Sequence, residues 1–227
     1  MSFFANAVTD EWGTSYSLKP AAYIAIILLI LLCFILASVR SKKQESTSGF
    51  STRKLVFSAM AIALAVVTSM LKLFHLPMGG SITLFSMLFV CLAGYWYGPK
   101  TGIMASVAYG FLQLVIDPYI ISLPQMLVDY IFAFGALGLA GFFHRTSHGL
   151  VKGDIVGVLG RYFFSFLSGM IFFGSYAADY NMAAPVYSLI YNGIYLGAEA
   201  AITLILISLP PVHQALAKVK TMVESAS

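Results

Sequence analysis

Asp129, Asn192 and Glu199 are the side chains with the most chemistry to offer, because each stands inside an apolar run. A carboxylate or an amide at membrane depth is costly and normally faces a partner or a wet cavity. Asp129 adjoins Tyr130, about two helical turns into its segment. It meets a cationic ligand, pairs with Lys72, or is a satisfied structural carboxylate. The ligand reading is preferred, because no base other than Lys72 is expected on the outer half of a neighbouring segment. Tyr187 precedes Asn192 by five residues, which places the two about 140° apart on a helical wheel. A site using both must therefore lie between helices. Glu199 falls deeper in the same segment, where a structural role, coupling to a partner protein or ligand contact are all open. Aromatic side chains run from Tyr162 to Tyr176 and continue at Tyr187, Tyr191 and Tyr195. Most are expected at lipid-facing or interfacial positions. A few at one end have the chemistry of a stacking cage for a cation or a flat ring.

This inventory points to binding rather than catalysis. There is no HExxH, GxSxG or Cys/His zinc pattern, and the four histidines are dispersed. Cys33 and Cys91 have no metal spacing and read as small apolar side chains. Gly94-Tyr-Trp-Tyr-Gly98-Pro-Lys100 has the wrong spacing for a phosphate-binding loop. The chain is thus expected to be no enzyme and to carry no metal or other cofactor.

The elements that must position these residues are membrane helices. Hydrophobic residues make up 59% of the 227 and charged ones only 10%, against about 25% charged in soluble domains. The fold class expected is all-α and integral to the membrane. Seven spans are read, at about 20–39, 55–74, 82–97, 101–117, 121–143, 155–174 and 186–209. The polar linker SKKQESTSGFSTR at 41–53 separates the first from a compact group of six. The resulting division is an extra N-terminal transmembrane helix within 1–40, the linker, a six-helix core at 54–210 and a cytoplasmic tail at 211–227. With the N-terminus outside, Arg40, Lys42, Lys43, Arg53, Lys54, Lys100, Arg145, Lys152, Arg161, Lys218 and Lys220 collect at the cytoplasmic side, which is 11 of the 13 Lys and Arg. The positive-inside rule therefore sets N-out and C-in. The net charge of +4 then reflects membrane orientation, and no nucleic-acid partner is expected.

Polarity without positive charge gathers at the outer end. The outer connections are His75-Leu-Pro-Met-Gly-Gly-Ser81, the turn around Asp117-Pro-Tyr119, and Gly174 to Pro185. Gly79 and Gly80 suit a flexible loop closing over a ligand. On the first core span, Ala59 and Ala63 stack four residues apart and allow close approach of another helix. That helix belongs to the core itself or to a partner membrane protein.

Four stretches carry a family resemblance: LPMGGSIT at 76–83, LVDYIFAFGALGLAG at 127–141, RYFFSFLSGMIFF at 161–173 and VYSLIYNG at 186–193. Over about residues 53–210 the chain resembles the thiamine-specific substrate-binding subunits, or S components, of energy-coupling-factor vitamin importers. The resemblance implies a six-helix bundle in a bacterial plasma membrane, with an outward-facing thiamine site. It also implies association with a membrane-embedded coupling subunit and two cytoplasmic ATPase subunits. By the same match the binding positions are Tyr119, Asp129, Tyr130, Ser165, Phe173, Tyr187 and Asn192, with Gly80 at a lid-loop position. Ala59 and Ala63 fall on the alanine motif for the coupling subunit. Ser165 stands where the family often has histidine, and Phe173 where it can have tryptophan. The alternatives are an S component for a thiamine precursor or another vitamin, and a membrane protein outside transport.

Overall fold

The computed structural model describes residues 5–10, 13–21, 52–76 and 80–225. Nearly all of the expected first span and of the polar linker lie outside these residues. Near the N-terminus, β1 (Ala5–Asp10) and β2 (Gly13–Leu18) form an antiparallel hairpin.

Six helical segments make the bundle. They are α1 (Thr52–Met70), α2 (Ser86–Tyr97), α3 (Pro99–Ile116), α4 (Leu123–Phe143), α5 (Gly149–Phe172) and α6 (Ala184–Ser208). Among the described residues, α1, α4, α5 and α6 are long and apolar enough to cross a bilayer. The second expected span, 55–74, is shorter as a helix. It stops at Met70, and β3 (Lys72–His75) pairs antiparallel with β4 (Ser81–Thr83). The β3–β4 pair thus lies over one end of the bundle. The turn after β4 shortens α2 to 12 residues. Residues 210–225 form a further helix, α7 (Pro210–Ser225). Its Leu216, Val219 and Val223 pack against Leu92, Trp96 and their neighbours.

Small residues let α2, α3 and α4 approach closely. A Cβ on Gly102 would stand 2.7 Å from Gly94 Cα and 2.8 Å from Gly138 O. Backbones in such contact gain dispersion and packing where the lipid supplies no hydrophobic drive between helices. Around this seam lies a core of Ala65, Met87, Val90, Cys91, Tyr109, Leu137, Ala140, Val158 and Leu196.

Helix α4 is not a uniform α-helix. Its first turn, Leu123–Met126, is opened by Pro124 and capped by Ser122, whose Oγ accepts from Gln125 N at 3.3 Å. A π-helical turn follows at Leu127–Phe132, then an α turn at Ala133–Ala136 and a 3-10 stretch at Leu137–Phe143. A π turn widens the helix by one residue per turn and re-aims the side chains it carries. Those side chains include Asp129 and Tyr130. Gly110 of α3 accommodates the bulge, since a Cβ there would lie 1.9 Å from Tyr130 O.

Candidate ligand-binding site

A cavity of about 190 Å³ opens at the end of the bundle where β3 and β4 lie. Gly80, Tyr119, Asp129, Tyr130, Ser165, Phe173, Tyr187 and Asn192 all line it. They come from β3–β4, the turn after α3, α4, α5 and α6, so the residues read as one site from scattered stretches do converge.

Asp129 is held from its own helix. Gln125 Nε2 donates to Asp129 Oδ2 at 2.6 Å and to Tyr119 O at 3.1 Å, while Gln125 Oε1 accepts from Ile121 N at 3.1 Å. Gln125 is fully buried, and this one amide ties the carboxylate to the turn that presents Tyr119. Tyr130 acts on the same turn: its hydroxyl accepts from Tyr119 N at 2.7 Å and donates to Asp117 O at 2.8 Å. Its hydroxyl is therefore engaged in shaping the loop.

The Asp129–Lys72 pair considered from the sequence does not form. Lys72 Nζ lies 2.5 Å from Asp117 Oδ2, across the mouth between β3 and the end of α3. Arg161 brings a second correction. The sequence places it at the cytoplasmic flank, but α5 begins at Gly149 rather than 155. Arg161 therefore stands twelve residues into the helix, roughly 18 Å along its axis. It lines the cavity with its guanidinium 4.2 Å from the centre of the Phe134 ring, and no ion pair joins it to Asp129 among the described residues. The cavity thus holds an acidic group on one wall and a basic one on another, with the Lys72–Asp117 pair at the rim.

Aromatic rings form two stacks. Tyr119 stacks on Phe173 with centroids 5.8 Å apart, and Phe173 on Tyr176 at 6.0 Å; the Tyr119 and Tyr176 hydroxyls meet at 3.0 Å. The second stack runs Tyr180, Tyr187, Tyr191 with spacings of 5.3 and 5.7 Å. Tyr191 OH accepts from Gly80 N at 2.9 Å and so latches the β3–β4 hairpin to α6. From the sequence, Tyr191 stands only among the general aromatics. Its signal in the sequence was a position one turn from Tyr187 and one residue before Asn192.

Asn192 is largely engaged. Its Nδ2 donates to Ser165 O at 3.2 Å and Ser188 O at 2.9 Å, and Oδ1 accepts from Tyr195 OH at 2.9 Å. One lone pair of Oδ1 remains for a ligand donor. Glu199, in contrast, is not in the cavity. Its Oε2 accepts from Thr83 N at 3.2 Å and Thr83 Oγ1 at 2.6 Å; its Oε1 accepts from Ser86 Oγ at 3.0 Å and Met87 N at 3.1 Å. Phe85, the residue before α2, has φ 64° and provides no side-chain cap. A carboxylate from α6 therefore caps α2 from outside, satisfying amides that the helix start leaves bare. Of the roles left open for Glu199, the structural one is what these four bonds supply.

On α1, Ala61 and Ala65 are buried in the bundle, whereas Ala59 and Ala63 are exposed. Packing within the described core therefore does not account for the Ala59–Ala63 face.

A multi-helix membrane protein with a polar and aromatic cavity opening at one end has the fold and site of a solute-binding membrane protein. The family described as "Thiamine transporter protein" matches residues 55–219, and the chain belongs to that family. The thiamine transporter ThiT of Bacillus subtilis (strain 168) is 31% identical over 155 residues, covering 62% of this chain and 79% of that protein. In structure the chain is similar to ThiT from Listeria monocytogenes, with a TM-score of 0.57, 23% identity, and coverage of 70% of this chain and 94% of that one. The last likeness speaks for the fold alone. The chain is thus a multi-pass membrane protein of a transporter family.

Proposed function

We propose that this chain binds thiamine from outside the cell in the cavity at the β3–β4 end, as the substrate-binding subunit of an ATP-driven importer. The observation that carries the reading is the convergence of Asp129 with the Tyr119–Phe173 stack on one cavity. Thiamine bears a permanent thiazolium charge, and a water-poor site can hold it only by supplying a carboxylate and aromatic faces in place of solvent. Asp129 supplies the charge, Phe173 and Tyr119 the faces. Tyr187, the free lone pair of Asn192 and Ser165 serve the aminopyrimidine and the hydroxyl, which must find partners once desolvated. Gly80 closes the site from above through its bond to Tyr191.

Transport needs more than this chain, which has no nucleotide-binding motif. Energy comes from a membrane-embedded coupling subunit and two cytoplasmic ATPases, with Ala59 and Ala63 as the docking face for the former. The orientation is N-terminus outside and C-terminus inside. With Arg161 reassigned to the cavity, Lys54, Lys100, Arg145, Lys152, Lys218 and Lys220 still occupy the opposite end of the bundle, which supports that orientation.

Calorimetric titration of the detergent-purified chain with thiamine tests the reading. Saturable 1:1 binding below about micromolar, or beyond roughly 8 kcal/mol, is expected. A folded, monodisperse sample that takes up no thiamine overturns it.

A further inference from the structure

Among the described residues, four charged side chains line the cavity, and they are not equally committed. Asp129 and Arg161 stand inside it. Lys72 and Asp117 stand at the rim, with Lys72 Nζ 2.5 Å from Asp117 Oδ2. The proposed function gives Asp129 the ligand's charge and leaves this rim pair without a role. The pair is wet: the Asp117 side chain is 59% exposed and that of Lys72 33%. The Asp117 carboxylate has no partner but Lys72 among the described residues. An exposed pair of this kind contributes little to stability, so an incoming cation can exchange for the lysine. Asp117 is also fixed relative to Asp129 by two bridges that meet at Tyr119. Tyr130 Oη donates to Asp117 O at 2.8 Å and accepts from Tyr119 N at 2.7 Å. Gln125 Nε2 donates to Tyr119 O at 3.1 Å and to Asp129 Oδ2 at 2.6 Å. Tyr119 lines the same cavity, its ring stacked on Phe173. One wall therefore carries a carboxylate at the rim, an aromatic ring, and a carboxylate inside.

Resting on the thiamine reading, we propose that Asp117 is an outer binding station for the cationic ligand, held by Lys72 until the ligand arrives. The thiazolium exchanges for the Lys72 ammonium at Asp117, passes over the Tyr119 ring and settles against Asp129. A fixed cation entering a water-poor cavity loses hydration before it reaches its final partner. A carboxylate at the rim and a ring face behind it keep the charge compensated on the way. Lys72 is then a tethered competitor of the same sign as the ligand. While paired, it holds β3 to the end of α3, as the Gly80–Tyr191 bond holds the same strand pair to α6. Exchange at Asp117 therefore frees the strand pair on its α3 side as the ligand enters. A neutral solute of the same shape has no charge with which to displace the lysine, so the station selects for cations before Asp129 is reached.

Association of radiolabelled thiamine with the detergent-purified full chain, timed by rapid filtration at low and high salt, tests the station. In Asp117→Asn association is expected to slow by about tenfold at low salt, and the gap to narrow at high salt as an exposed charge is screened. Lys72→Gln removes the competitor, leaves Asp117 open and should associate about threefold faster. The charge-swapped double variant Lys72→Asp/Asp117→Lys keeps a rim pair but fixes the cation to the wall, and it should be as slow as Asp117→Asn. Saturable binding at equilibrium reports the folding of each variant. If Asp117→Asn and Lys72→Gln both associate faster, the pair is a simple latch and the proposal is overturned. Unchanged association in Asp117→Asn, or a swapped variant as fast as the native chain, overturns it as well. A native chain that binds no thiamine overturns the thiamine reading and this proposal with it. Rates that fail to separate in a chain that does bind overturn the station alone.

Discussion

Gln125 and Asp129, one turn apart on α4, share a 2.6 Å hydrogen bond that fixes the carboxylate from behind. The amide donates, so it lowers the cost of keeping Asp129 charged. This arrangement separates charge from fold. Asp129→Asn keeps an oxygen acceptor for Gln125 and removes only the negative charge. Thiamine affinity is expected to fall by about a hundredfold or more, the scale of a desolvated charge contact. Calorimetry measures it, with the unliganded melting temperature as the check on folding. An unchanged affinity would remove Asp129 from the charge-pairing role.

Gly80 is expected to tolerate no side chain. A Cβ there would stand 2.5 Å from Tyr191 OH and 3.0 Å from its Cζ. Gly80→Ala should weaken thiamine binding about tenfold, in the range that overpacking costs. Tyr191→Phe alone loses one neutral hydrogen bond, about 1 kcal/mol. Combined, the two changes should cost less than their sum, because the hydroxyl that clashes is the one removed. Strict additivity in the double-mutant cycle would show that the hairpin does not close through Tyr191.

Glu199 should prove a stability residue without ligand contact. Four hydrogen bonds converge on its carboxylate, which is 3% exposed. Glu199→Ala leaves Thr83 N and Met87 N unsatisfied and should cost about 3 kcal/mol or more. Glu199→Gln, which retains acceptor capacity at one oxygen, should cost less. Thermal unfolding in detergent reads both. A loss of thiamine affinity in Glu199→Gln at unchanged melting temperature would contradict the capping role.

The exposed face of α1 predicts a split between binding and uptake. Ala59→Trp or Ala63→Trp adds a bulky ring to a surface that the bundle does not bury. Thiamine binding by the isolated chain should remain within about twofold, since surface changes usually stay within ±0.5 kcal/mol. Uptake by cells carrying the coupling and ATPase subunits should be lost. Survival of uptake in both variants would return this face to lipid.

How far the sequence reaches can be judged residue by residue. The helical membrane class and the core segments follow from composition and run length, because a bilayer leaves a spanning backbone few alternatives. The residues that line the cavity were legible where a polar side chain interrupts an apolar run, as at Asp129 and Asn192, or where motif resemblance pointed to them, as at Tyr119 and Phe173. Arg161 was misplaced because an arginine near a helix end and one twelve residues in look alike when the helix start is uncertain by a turn and a half. Gln125 and Tyr191 were passed over because neither is unusual by itself.

By itself the sequence determined what each segment must avoid: water on the apolar runs, and lipid around Asp129 and Glu199. Those constraints act on single residues and short windows, so spacing and type express them. The tertiary structure alone decided which polar group answers which. It gave Lys72 to Asp117 rather than Asp129, made Glu199 the cap of a helix 112 residues away at Met87, and packed the C-terminal segment against Leu92 and Trp96. Pairings of that kind depend on the π turn in α4 and on glycine seams that set the distance between helices. A few ångströms there choose among partners that the sequence leaves equally acceptable.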